Sequence, residues 1–173
     1  MKRSLRLLAV ITIFFTASRY SAAQSSPAVE FNAANSAPRS VEDLTSQSVP
    51  RDYAFAWQNM EQALEENRPG LLDAYFTGFA KTSLQQRIKQ QAQTGLHVRY
   101  TDHGHKLNVL FYSPNGDLMQ IEDDAQLEMQ VLDGSKVIQS QPLHVRYMVL
   151  MTPGADRWMV RDLESTVASP SGE

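Results

Sequence analysis

The sequence contains no cysteine. That excludes disulfides, thiolate metal sites, a cysteine nucleophile and the lipid attachment that anchors a bacterial lipoprotein. It also lacks any apolar run near the roughly 20 residues a spanning helix needs; the longest, Leu7 to Ala17, has eleven, and Arg19 follows closely. No Gly-x-Ser-x-Gly elbow, phosphate-cradling glycine loop or dinucleotide fingerprint occurs. Positive charge is scarce beyond the first 23 residues, where 12 Lys and Arg face 19 Asp and Glu, a net of −7. Such an acidic chain is poorly suited to nonspecific nucleic-acid binding, which depends on clustered Lys and Arg.

What is present begins with an export signal. Lys2, Arg3 and Arg6 precede the apolar run, and Ser21-Ala22-Ala23 offers small residues for cleavage before Gln24. No two arginines are adjacent, so a general export route fits better than a twin-arginine one. The expectation is a cleaved signal peptide over 1–23, and a bacterial periplasmic or secreted protein with no stable membrane span after cleavage. The 173 residues, 42% hydrophobic and 20% charged, suit one globular domain with a real core.

Residues 24–48, rich in Ser, Ala, Asn, Pro and Gln, read as a flexible linker; 49–167 read as the folded domain and 168–173 as a disordered tail. Near Pro50 the spacing of Tyr53, Trp57, Met60 and Leu64 predicts a helix with one apolar face, ended by Asn67-Arg68-Pro69-Gly70. A short second helix is predicted around Leu71, Leu72, Tyr75, Phe76 and Phe79, and a third over 82–94 with Gly95 as its cap. Beyond Gly95 the hydrophobic period changes from 3.6 to 2. Strands are predicted over 96–100, 107–112, 118–132, 136–151 and 157–163, with a turn at Asp102-His103-Gly104-His105 and a break near Asp123-Asp124. Helices followed by a curled antiparallel sheet make an α+β domain.

One phrase occurs twice: Leu96-His97-Val98-Arg99-Tyr100 and Leu143-His144-Val145-Arg146-Tyr147. Alternation puts Leu, Val and Tyr inward and His and Arg outward in both copies.

The order of elements, the Asp133-Gly134 turn and the closing Arg157-Trp158-x-Val160-x-x-Leu163 resemble the nuclear transport factor 2-like superfamily, which includes SnoaL-like and ketosteroid isomerase-like proteins. The resemblance covers about residues 50–166. It implies a cone-shaped roll, with three N-terminal helices packed in the concave face of a strongly curved antiparallel sheet, often around a pocket. The superfamily hosts isomerases, dehydratases, binding modules and interaction domains, so function rests on the site.

For a cavity, the candidate residues are Tyr53, Trp57, Asp73, Tyr100, Tyr147 and Trp158. The isomerase-like members use an acid and a tyrosine facing an apolar cavity, which makes Asp73 and the tyrosines the residues to weigh. Buried tyrosines more often fill volume and pair their hydroxyls, and that reading is preferred. His103 and His105 could reach one metal ion, but no complete ligand set is visible, so a polar turn is preferred and neither metal nor cofactor is expected. For an interaction face, the candidates are His97, Arg99, His144, Arg146 and Met148. They form either a partner surface or ordinary cross-strand pairs with Glu122 and Glu128. Two functions follow: a non-catalytic domain that binds a small apolar ligand, or a second copy or envelope protein through its sheet; alternatively, a small cofactor-independent isomerase or dehydratase.

Overall fold

The computed structural model describes residues 28–166. The expected signal peptide and the whole of the expected tail lie outside them. The elements in chain order are β1 (Val29–Asn32), α1 (Asp43–Glu65), a 3-10 helix (Pro69–Ala74), α2 (Gly78–Thr94), β2 (Leu96–Tyr112), β3 (Met119–Asp133), β4 (Lys136–Pro153) and β5 (Trp158–Thr166). The five strands form one sheet in the order β1-β2-β3-β4-β5, with β1 parallel to β2 and every other pair antiparallel. The protein is therefore α+β, with helices against a curved, unclosed sheet.

Burial of one helical stripe sets the architecture. Val49, Tyr53, Trp57, Met60 and Leu64 of α1 meet Leu107 and Val109 of β2, Ile121 and Leu127 of β3, and Val149 and Met151 of β4 in one core. Gly95 ends α2 in the left-handed conformation (φ 71°), which frees the chain to turn into β2.

Local expectations needed correction in four places. The linker expected over 24–48 contributes β1 and the first residues of α1, and the Tyr112 N–H donates to the Ala37 carbonyl at 3.0 Å. Helix α1 accordingly starts at Asp43, so Pro50 lies inside it. The middle helical segment is a 3-10 helix ending at Ala74. Residues 75–77 are diverted to β5, where the Thr77 N–H donates to the Val160 carbonyl and the Val160 N–H to the Tyr75 carbonyl.

The fourth correction matters most for the site. Asp102 to His105 is no turn: β2 is one 17-residue strand, and the irregularity is a register shift between Asp102 and Gly104. Gly104 sits at φ 136°, a conformation that side chains disfavour, and the extra residue reverses which side chains face the helices. The break expected at Asp123-Asp124 is likewise absent, because β3 runs unbroken through both residues.

Candidate functional site

The bulge turns His105 inward, in phase with Leu107 and Val109, and buries it almost completely (1% exposed). There both ring nitrogens meet carboxylates. Nδ1 lies 2.8 Å from Asp123 Oδ2, and Nε2 lies 2.8 Å from Asp102 Oδ2. A neutral imidazole has only one N–H, so this geometry calls for the doubly protonated cation. Burial disfavours that charge, but the hydrogen bonds His105 donates to Asp102 and Asp123 outweigh it and raise its pKa to about 9.

The surrounding groups tighten the arrangement. The Tyr53 hydroxyl of α1 donates to the same Asp123 Oδ2 at 2.7 Å, and the Gly104 N–H donates to Asp102 Oδ1 at 2.7 Å. Burial and the Asp123 charge push the Tyr53 phenol well above its ordinary range. The Trp57 ring centre lies 4.5 Å from that of His105, and Tyr53 meets the imidazole edge-on at 5.6 Å. Trp57 also meets Tyr147 at 5.5 Å, and burial raises the Tyr147 phenol. Among the described residues, Asp123 Oδ1 has no hydrogen-bond partner, and neither has Glu61 Oε1. Glu61 is buried on α1, and desolvation and the Asp102 charge raise its pKa to about 7. Among the described residues, no group of three or more His, Cys, Asp and Glu could hold a metal ion.

No family model and no curated protein matches the sequence. Solved structures do match the fold. The intermembrane space region of the chloroplast protein ARC6 superposes with a TM-score of 0.60 at 14% identity, over 66% of this chain and 91% of that one. A hexachlorocyclohexane dehydrochlorinase, LinA-type3 from Novosphingobium barchaimii LL02, gives 0.52 at 10% identity, over 74% and 92%. The fold shared with them is the cone-shaped roll expected from the sequence, helices against a curved, unclosed sheet. At these identities the likeness concerns architecture alone, so the cone's chemistry has to come from its own residues.

The cone separates the residues singled out in the sequence. Tyr53, Trp57 and Trp158 are buried, and the Trp158 N–H donates to the buried Asp52 carboxylate at 2.8 Å. Tyr100 and Tyr147 are half-buried at the edge of the core, where the Tyr100 hydroxyl accepts from Arg87 at 3.0 Å. Asp73 lies outside this group. It is exposed and pairs with Lys81 at 2.9 Å, because the 3-10 helix presents it to solvent.

The doubled phrase does not build one basic patch, since β3 lies between its two copies. His97 and Arg99 turn to the C-terminal end of α1. The imidazole Nδ1 lies 2.8 Å from the Glu65 carbonyl oxygen, and the Arg99 guanidinium holds the Glu65 carboxylate at 2.6 Å. His144 pairs across strands with Asp124, and Arg146 with Glu122 at 3.8 Å. Met148 accepts a contact from the Gln120 amide. Glu128, an expected partner of this row, bonds Ser140 instead.

His103 and His105 part company at the bulge, the first exposed and the second buried in the core. His103 and His144 flank a hollow of about 440 Å³, together with Gln126, Leu127, Pro142 and Leu143. Sequence reasoning passed over Glu61, took Asp123 for part of a break, and weighed His105 only as a metal ligand in a polar turn with Asp102. Strand and helix phase could have located two of them: Asp123 keeps step with Ile121, Ala125 and Leu127, and Glu61 lies on the Trp57–Leu64 face.

Proposed function

We propose that the protein is an exported, non-catalytic binding or interaction domain that works through the outer face of its sheet. The observation carrying this reading is the state of His105. Both of its nitrogens are occupied by carboxylates at 2.8 Å, and its side chain is fully buried. A general base needs a free lone pair within reach of a substrate proton, and this imidazole offers none. Its role is to tie β2 to β3 and, through Asp123 and Tyr53, to α1.

The outer side suits contact better. Pro142 and Leu143 line a hollow there, and further along β4 Val137 and Ile138 are 42% and 52% exposed. Mixed apolar and charged surfaces of this kind suit a second copy or an envelope protein, and a hollow of that size could take a small apolar ligand. Export rests on the basic, apolar and small-residue segments of 1–23.

A second reading, an isomerase- or dehydratase-like enzyme, is favoured by one observation: an acid and a tyrosine converge at Asp123 and Tyr53, and Glu61, beside the Asp102 and His105 of the same cluster, has its carboxyl raised to about 7. Histidine chemistry separates the two. In the folded protein, diethyl pyrocarbonate should modify His103 and His144 and spare His105, and ¹⁵N spectra should show His105 with both nitrogens protonated at pH 7. A reactive His105 with a free nitrogen would overturn the non-catalytic reading and favour the enzyme.

A further inference from the structure

The charges inside the cone do not balance. Asp102 and Asp123 bring two negative charges to the single positive charge of the His105 imidazolium. Glu61 of α1 is buried against the same set, and its Oε1 has no hydrogen-bond partner among the described residues. The groups acting on it are Glu65 from α1, and Asp102 and His105 from β2. Glu65 is itself held by Arg99 of β2 at 2.6 Å, and His105 links the set to Asp123 of β3 and thence to Tyr53.

We infer that Glu61 is a proton-operated latch on the seam between α1 and β2, closed while its carboxyl carries a proton and loosened when it ionises. A protonated Glu61 adds no charge to the cluster. An ionised one places a further negative charge beside Asp102, out of water, where the single His105 cation already serves two carboxylates. The relief available is to lift the middle of α1 from the sheet, which rehydrates Glu61 and Trp57 together. Asp102, His105 and Asp123 all belong to β2 and β3, so their clamp stays assembled when α1 lifts.

The sign follows from linkage. Burial and the Asp102 charge raise the Glu61 pKa from 4.5 to about 7 in the closed form, against the opposing His105 charge. Between those values the closed form holds a proton that the open form releases, so closure weakens as pH rises through the window and levels off above it. His105, raised to about 9, remains charged across this range and contributes no step of its own there while clamped.

Amide hydrogen exchange on the full chain between pH 5 and pH 8, expressed as protection factors, tests the latch. Protection of residues 57–64 should fall by about 100-fold as Glu61 ionises, while Ile121 and Ala125 of β3 keep theirs. Glu61→Gln, an uncharged isostere, should give a flat profile and stay protected at pH 8. A flat wild-type profile, an equal loss across β3, or a slope retained in Glu61→Gln would each overturn the inference. Should that variant fold poorly, the ¹³C titration of the Glu61 carboxyl in the wild-type chain decides. A midpoint near 7 supports the latch, and one in the ordinary carboxylate range overturns it.

Discussion

Asp123 is the residue on which the interior converges. One of its oxygens receives a proton donor from β2 and another from α1, His105 at 2.8 Å and Tyr53 at 2.7 Å. Two charges taken out of water together cost little net energy when their hydrogen bonds are complete, but stranding one of them is expensive. Asp123→Asn keeps the shape and removes the charge, leaving the His105 cation with Asp102 alone. We expect a loss of about 3–5 kcal/mol, the usual cost of breaking a buried pair from one side, read as a lower urea midpoint at pH 7. The His105 titration should move downward in the same variant, since one of the two carboxylates raising it has gone. A loss of a few tenths of a kcal/mol with an unmoved histidine would mean that Asp123 and His105 are not paired. Tyr53→Phe, which removes only the hydroxyl donor, should cost less, about 1 kcal/mol.

Among the elements, β2 has the decisive irregularity. Its bulge places Asp102 and His105 on one face although their spacing is odd, and it does so through Gly104 at φ 136°. A Cβ there would meet the Ala28 carbonyl oxygen at 3.4 Å, an ordinary contact, so conformation and not space is the obstacle. Gly104→Ala should therefore cost about 1–3 kcal/mol of backbone strain and broaden or shift the His105 ring signals. Unchanged stability with unchanged His105 signals would mean that the bulge does not need glycine. The same element shows what could be read beforehand. The change of period after Gly95, the Asp133-Gly134 turn and the α1 stripe are local signals, and they carry the α+β architecture. Asp-His-Gly-His carries a local signal too, for a turn, and long-range pairing overrides it: β3 binds one edge of β2, and Ala28 binds the other at the His105 N–H. Asp123 was visible in strand phase but looked like half of a polar break, because its partners lie 18 and 70 residues away. Val98 and Tyr100 pack on the core as their alternation implies, while the contacts of His97 and Arg99 with Glu65 at the end of α1 have no local signal.

At the scale of the molecule, the cone sets apart an interior whose charges are locked and an outer face whose charges are exchangeable. On that face β3 presents Glu122 and Asp124, and β4 answers with Arg146 and His144. Arg146 is more than half exposed and 3.8 Å from Glu122, so the pair is hydrated and screened. Exposed pairs of this kind contribute at most about 1 kcal/mol, and Arg146→Glu should leave the urea midpoint nearly unchanged. Association is another matter, because reversing one charge beside Glu122 and Asp124 leaves His144 as the one basic group of this row, on a chain that is already acidic beyond residue 23. Like charges brought together across an interface cost far more than the same charges in free solvent. If two copies meet through this face, sedimentation at increasing concentration should show self-association of the wild type and a monomer for Arg146→Glu. The difference should shrink at high salt as the charges are screened. A monomer in both proteins would remove the self-association version and leave the face to a different partner. Self-association retained in Arg146→Glu would move the contact away from this part of the sheet, to a surface such as the exposed Val137 and Ile138 stretch of β4.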